Sequence, residues 1–249
     1  GINPNFANAF YNRGLAYISL GKYQLAIDDC NSVIKINPDY ADAYLNRGLA
    51  YINLGKYQLA IDDCNRAIKI NPDFAEAYNN RGLSFHYLGE YQDAIDDYNR
   101  AIKIKPDYAN AFYNRGLAYF NLGNYQLTID DCNRAIGINP NFANAFYNRG
   151  LAYINLGKYQ LAIDDYSRAI RINPDDADAY YNRGIAYNNL GKYQDAIDDY
   201  SRAIQINPDY ASAHTNRGFV KEKLGQDYCD DYKKACDLGQ CDNYNKGCK

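Results

Sequence analysis

ADAYYNRGIAYNNLGKYQDAIDDYSRAIQINPDY, residues Ala177 to Tyr210, decides the fold, because almost everything else in the chain is a copy of it. The prolines mark the copies: Pro4, Pro38, Pro72, Pro106, Pro140, Pro174 and Pro208 follow one another at steps of 34 residues. A fixed period of that length signifies an array of supersecondary units, none of which buries its apolar face alone. Positions in the unit are counted from 1 (Ala177) to 34 (Tyr210). Full units run 7–40, 41–74, 75–108, 109–142, 143–176 and 177–210, and 211–249 reads as a degenerate seventh repeat with a C-terminal cap. Residues 1–6 match positions 29 to 34 and are expected to be the remnant of a preceding repeat. The start at Gly1, without an initiator Met, is expected to reflect an excised or processed piece.

Each unit is punctuated as a helix pair. Gly at position 15 (Gly21, Gly55, Gly89, Gly123, Gly157, Gly191, Gly225) suits the left-handed residue that ends a first helix, A. Pro at position 32 stops the second helix, B, and the Asp after it (Asp39, Asp73, Asp209) is expected to cap the next helix A. Helical spacing predicts an inward stripe of Ala179, Tyr180, Gly184, Tyr187 and Leu190 on helix A. On helix B the stripe is Ala196, Ile197, Tyr200, Ala203, Ile204 and Ile206. Gly at position 8 costs roughly 1 kcal/mol against Ala in a helix interior. Close approach of helix B is the expected compensation.

The Asp198–Asp199 doublet lies outside the stripe and reads as a solvated face. Its first Asp stands four residues before an Arg in most units (Asp62–Arg66, Asp96–Arg100, Asp164–Arg168, Asp198–Arg202), an exposed pair that contributes ~0.3–0.5 kcal/mol. Val33, Thr128 and Gly137 depart from the repeat, and the last two mark the fourth unit as the expected weak point.

The unit has an aromatic at position 4, Gly at 8, an aromatic at 11, Ala at 20, an aromatic at 24, Ala at 27 and Pro at 32. In the reference copy these are Tyr180, Gly184, Tyr187, Ala196, Tyr200, Ala203 and Pro208. This pattern resembles the tetratricopeptide repeat. The resemblance implies an all-α, right-handed α-solenoid superhelix of 34-residue helix-turn-helix repeats. It also implies a non-enzymatic protein–protein interaction scaffold that binds an extended peptide or a partner helix in a concave groove. Positions 2, 5, 6, 9, 12 and 13 of helix A line that groove in the family.

Position 6 is Asn in every unit: Asn12, Asn46, Asn80, Asn114, Asn148, Asn182 and Asn216. Helix interiors do not favour Asn, whereas a carboxamide both donates and accepts, as a peptide main chain does. The row is similar to the asparagine ladder in the superhelical repeats of O-GlcNAc transferase, and these side chains are expected to face an open groove. Beside them stand Tyr11, Leu45, Tyr113, Tyr147 and Tyr181 at position 5 and Leu15, Leu49, Leu83, Leu117, Leu151, Ile185 and Phe219 at position 9. Position 12 adds Ile18, Ile52, His86, Phe120 and Ile154. A second reading stays open: copies inherit every residue, functional or not, and the Leu at position 9 packs one helix A on the next. The chaperone-tail carboxylate clamp of the family is not matched, since no groove Lys precedes Lys223. Self-association by stacking of exposed repeat ends is the alternative function.

The net charge of −3 gives no basic footprint for nucleic acid, and no apolar run reaches the ~18 residues of a membrane span. His86 and His214 lie in different units, no nucleophile or phosphate-loop motif occurs, and neither a catalytic site, a metal nor a cofactor is expected. Cys30, Cys64 and Cys132 share position 24 with Tyr98, Tyr166 and Tyr200 and read as core residues. Cys229, Cys236, Cys241 and Cys248 crowd the C-terminus, and disulfides, free thiols and metal binding all remain open for them. The segment KKACDLGQC resembles the terminal cap of some bacterial tetratricopeptide and Sel1-like proteins, where cysteines can be cross-linked. A disulfide there would imply an exported, periplasmic setting rather than the cytoplasm.

Overall fold

The computed structural model describes residues 5–243 and Cys248. Of the expected remnant, residues 1–4 lie outside the described residues, while Asn5 and Phe6 open the first helix. Helix A of each repeat is α1 (Asn5–Ser19), α3 (Ala41–Asn53), α5 (Ala75–Tyr87), α7 (Ala109–Asn121), α9 (Ala143–Asn155), α11 (Ala177–Asn189) and α13 (Ala211–Lys223). Helix B is α2 (Tyr23–Ile36), α4 (Tyr57–Ile70), α6 (Tyr91–Ile104), α8 (Tyr125–Ile138), α10 (Tyr159–Ile172), α12 (Tyr193–Ile206) and α14 (Cys229–Asp237). The fold is all-α among the described residues, in successive helix pairs.

The chain divides into two compact units between Asn124 and Tyr125, inside the repeat that carries Thr128 and Gly137. In the first unit α1, α3 and α5 pair with α2, α4 and α6, each helix B packs on the next helix A, and successive A helices touch. The second unit repeats this arrangement from α8 to α14, with α9 against α11.

The turns follow the sequence with one shift. All seven glycines at position 15 have φ between 68° and 82°, the left-handed region that closes helix A. The expected Asp caps are not formed: Tyr40, Phe74 and Tyr210, one residue later, begin the helices without a side-chain cap. The turn is held instead by Asn at position 31, whose Oδ1 accepts from the Asp backbone N–H (Asn37 from Asp39, Asn71 from Asp73, Asn207 from Asp209, each 3.2 Å). This Asx turn uses the Asp backbone and leaves its side chain outside. Asp176, at position 34, does cap α11, accepting from Ala179 N–H at 3.1 Å.

The core consists of small residues of helix A under the larger residues of helix B. Ala179, Ala196, Ala203 and Tyr200 are fully buried. Leu190 departs from the expected stripe and is 40% exposed, because the helix ends there at the A–B turn. Position 10 was not on the stripe, yet Ala50, Ser84, Ala118, Ala152, Ala186 and Val220 are fully buried. Ala118 joins Ala94, Ile95 and Tyr98 of α6, so position 10 is where a helix A meets the preceding helix B.

The second Asp of each doublet overturns the solvated reading. Asp29, Asp63, Asp97, Asp165 and Asp199 are only 4–6% exposed, each held by Arg at position 7 of its own helix A. Arg81 donates Nε and Nη2 to Asp97 at 2.7 and 2.6 Å, and its Nη1 reaches Asn65 of the preceding repeat at 2.6 Å. Arg183 likewise grips Asp199 and bonds Ser167 of the previous repeat at 2.9 Å. One guanidinium thus clasps its own helix pair and the neighbour behind it. Burial pushes the Asp63, Asp97, Asp165 and Asp199 carboxyls above the usual range, and the single Arg only partly draws them back. Burial acts on Asp231 as well, but Arg217 and Lys221 together bring it below that range.

The first Asp is not in the expected ion pair either. Asp62 accepts from Gln58 four residues earlier at 3.4 Å, while Arg66 reaches Asp39 at 3.3 Å and lies over the Tyr44 ring.

At the C-terminus Cys229 is joined to Cys248 and Cys236 to Cys241. Cys30, Cys64 and Cys132 are free and buried, and burial pushes each thiol up to about 12. Protein unfolded without reductant is expected to titrate three thiols, and native protein none. Seven would mean that the cap is not cross-linked.

Candidate functional site

The groove-side positions of helix A fall into two rows with different surroundings. Position 6 lies at the seam between successive A helices. Asn46 and Asn148 are buried at 9% and 8% exposure, Asn80, Asn114, Asn182 and Asn216 are half-buried, and Asn12 is exposed. Exposure along the row is therefore uneven, and Asn46 and Asn148 do not face open solvent. The A helices approach closely enough that this carboxamide reaches back to position 5 of the previous repeat. Asn182 donates to the Tyr147 hydroxyl, Asn216 to the Tyr181 hydroxyl and Asn114 to the Asn79 carboxamide, each at 3.0 Å. These three members of the row tie repeats together. That accounts for Asn in a helix interior, since a buried amide with a partner offsets its poor propensity.

The apolar neighbours divide between packing and surface. Tyr147, Leu151 and Ile154 pack on the core of Ala162, Ile163, Tyr166 and Ala186, and Tyr181 and Ile185 on that of Ala196, Ile197, Tyr200 and Val220. Tyr11, Tyr113, Leu83, Leu117, His86 and Phe120 are half-buried, while Leu15 and Phe219 are exposed. Asn12, Asn46, Asn80 and Asn114 belong to the first compact unit, and Asn148, Asn182 and Asn216 to the second.

A second carboxamide row, at position 13, was not singled out from the sequence. Asn53, Asn121, Asn155 and Asn189 are all exposed in the last turn of helix A. Each donates its amide to the carbonyl four residues back, of Leu49, Leu117, Leu151 and Ile185, at 2.9–3.0 Å. That bond fixes the side chain and leaves the carboxamide oxygen available as an acceptor. The recurrence of Asn at this position was the available signal.

His214 occupies the place of the position-4 aromatic and bonds the Pro208 carbonyl at 3.1 Å, as the Tyr44 hydroxyl bonds Pro38 at 3.2 Å. His86 stands 3.4 Å from Asn121 Nδ2 through its Nε2, and burial lowers its basicity. Among the described residues no group of three His, Cys, Asp or Glu side chains assembles a metal site. No described helix is long and apolar enough to cross a membrane.

The tetratricopeptide repeat model matches residues 7–40, 41–74, 109–142 and 177–210. Related repeat models match 82–123 and 150–191, and 64–96 and 132–164. No curated protein matches the chain significantly. Among solved structures, a tetratricopeptide repeat protein from Parabacteroides merdae is 23% identical, with a TM-score of 0.68 over 97% of this chain and 95% of its own. MamA is 28% identical, with a TM-score of 0.60 over 69% and 94%. YrrB, described as a TPR protein with an unusual peptide-binding site, is 24% identical, with a TM-score of 0.60 over 74% and 95%. With over half of its length matched by the repeat model, and the same paired-helix fold in these solved proteins, this chain belongs to the tetratricopeptide repeat family, whose folds are generally non-enzymatic scaffolds for protein–protein interaction.

Proposed function

We propose that the chain holds an extended peptide segment of a partner protein against the groove side of its A helices. The observation that carries this reading is the position-13 row. Its acceptors are oriented in advance by bonds within the helix, so a partner does not have to order them on binding. Position 9 supplies apolar surface beside them, and Asn80, half-buried in the position-6 row, supplies a further amide. The fold shared with YrrB, itself a peptide-binding repeat protein by description, is in keeping with this.

The test is selection of twelve-residue peptides from a display library on the full chain, followed by calorimetric titration. Asn155→Ala and Asn189→Ala should each weaken a selected peptide about five-fold, the value of one hydrogen bond. Both should leave the melting temperature in place, because these side chains are exposed. In contrast, Asn182→Ala should lower stability by about 1 kcal/mol, since it removes the tie to Tyr147. Unchanged affinity in both position-13 variants would end the groove reading.

Association of copies through the first repeat is a second reading, favoured by a cleft of about 360 Å³ bounded by Phe6, Phe10, Ser32, Lys35 and Ile36. Light scattering across concentration decides it, and a constant monomer mass removes it.

A further inference from the structure

Position 2 lies in the first turn of each helix A, on the side the family uses as its groove, and three repeats carry a carboxylate there: Asp42, Glu76 and Asp178. In the same three repeats position 34, just before the next helix A, is Phe74, Tyr108 or Tyr210, and position 31 is Asn71, Lys105 or Asn207. One frame thus occurs in three chemical versions.

Two of the carboxylates are satisfied from within the chain. In the third repeat the Lys105 ammonium donates to Glu76 at 3.0 Å and lies 4.9 Å from the centre of the Tyr108 ring. In the sixth repeat position 31 has no charge to offer, and the Tyr210 hydroxyl itself donates to Asp178 at 2.6 Å. Positions 2 and 34 of one repeat therefore meet. In the third repeat one ammonium serves both.

The second repeat keeps the frame and lacks both donors. Phe74 has no hydroxyl, and the Asn71 side chain is spent on its own turn, where it accepts from Asp73 N–H. The turn backbone is the same as in the third repeat: Phe74 N–H reaches the Asn71 carbonyl, and Tyr108 N–H the Lys105 carbonyl, each at 3.2 Å. Phe74 is half-buried and packs on Tyr44, Ala67 and Ala77, which fixes its ring. Asp42 is exposed, and among the described residues its carboxylate has neither an ion pair nor a hydrogen bond. Tyr11 of the preceding repeat stands near it: burial and the Asp42 charge hold its hydroxyl above the usual range.

We propose that Asp42 and the Phe74 ring form a docking site for a lysine ammonium of the bound peptide, in the place that Lys105 fills from within in the third repeat. This rests on the reading that the chain binds a peptide, and it adds which side chain the peptide presents.

The experiment uses the full chain and three variants. Asn71→Lys brings in the cation that the third repeat already carries at this position, so the site is filled from inside. Asp42→Asn removes the charge and keeps the shape. Asn173→Lys adds the same charge in the fifth repeat, where position 2 is Asn144 and offers no carboxylate. Twelve-residue peptides selected from a display library on the parent chain should be enriched in lysine. A fluorescein-labelled selected peptide should bind Asn71→Lys and Asp42→Asn about five-fold more weakly, and Asn173→Lys as well as the parent. Acetylation of the peptide lysine should cost a similar factor on the parent and much less on Asp42→Asn. Arginine serving equally well would overturn the lysine assignment. An equal loss in Asn173→Lys would show general charge repulsion and overturn the site. So would selection without lysine, or unchanged affinity in Asn71→Lys and Asp42→Asn. The peptide-binding reading would then stand or fall on the Asn155 and Asn189 variants. Failure to enrich any peptide overturns both.

Discussion

Arg81→Leu should destabilise the protein by about 3 kcal/mol, the usual scale for leaving a buried charge without its partner. Asp97 is 6% exposed, and both its oxygens are taken by Arg81. The variant also loses the bond to Asn65, and with it one tie between the second and third repeats. Asp97→Leu should cost less, because the longer Arg81 side chain can extend to water. The double variant Arg81→Leu/Asp97→Leu should recover most of the Arg81→Leu loss, since well-packed apolar residues commonly replace a buried pair at little cost.

The pH dependence has a definite sign. Burial holds the Asp97 carboxyl above its unfolded value even beside Arg81. A carboxyl with a raised folded value binds its proton more tightly when folded, so its contribution favours folding in acid and fades as pH rises through that value. Removing Arg81 takes away the group that lowers it. The deficit of Arg81→Leu should therefore grow from about pH 4 upwards and be smallest in acid. Urea unfolding of the three variants and the parent at pH 4 and pH 7 measures this. A double variant no better than Arg81→Leu, or a deficit larger at pH 4 than at pH 7, would show that the buried carboxylate is not the source.

How far the sequence discloses this molecule depends on which residues repeat and what they face. The helix pairs and left-handed turns are legible in the Pro and Gly spacing, because both residues act through their own backbone. The clasp was open to the same reading and was missed. Arg at position 7 recurs in every copy as faithfully as Asn at position 6 (Arg13, Arg47, Arg81, Arg115, Arg149, Arg183, Arg217). It adjoins the glycine that brings helix B close, just as Asp at position 23 adjoins the residue packed on that glycine. An inward stripe drawn from apolar residues passes over such a pair, since each charge looks like surface until its partner is seen. The inter-repeat bonds of the position-6 row were hidden for a related reason. Helix periodicity says which way a side chain leaves its own axis, but not how near the next repeat lies. At this seam neighbouring A helices lie close enough for Asn114, Asn182 and Asn216 to bond the previous repeat.

Gly184→Ala and Gly48→Ala should move stability in opposite directions, although they are the same substitution at the same position of two copies. A Cβ at Gly184 would lie 2.7 Å from Cε1 and 2.9 Å from Cδ1 of Tyr200. That ring is fully buried and has nowhere to withdraw. Overpacking of this kind costs ~1–3 kcal/mol against the roughly 1 kcal/mol that Ala gains as a helix former, so a net loss of up to about 2 kcal/mol is expected. At Gly48 the nearest atoms are Cys64 Sγ at 3.4 Å and the Ala60 carbonyl oxygen at 3.5 Å, which is ordinary contact. There the helix preference should prevail and stability should rise by up to about 1 kcal/mol. The choice of Cys or Tyr at position 24 thus sets how much room position 8 has. Tyr200→Cys alone should destabilise by leaving a void, but Gly184→Ala/Tyr200→Cys, the combination the second repeat would tolerate, should cost less than the sum of its parts by ~0.5–3 kcal/mol. Thermal melts of these four variants beside the parent close the cycle. Strict additivity, or equal shifts for Gly184→Ala and Gly48→Ala, would show that the glycine and the ring do not meet.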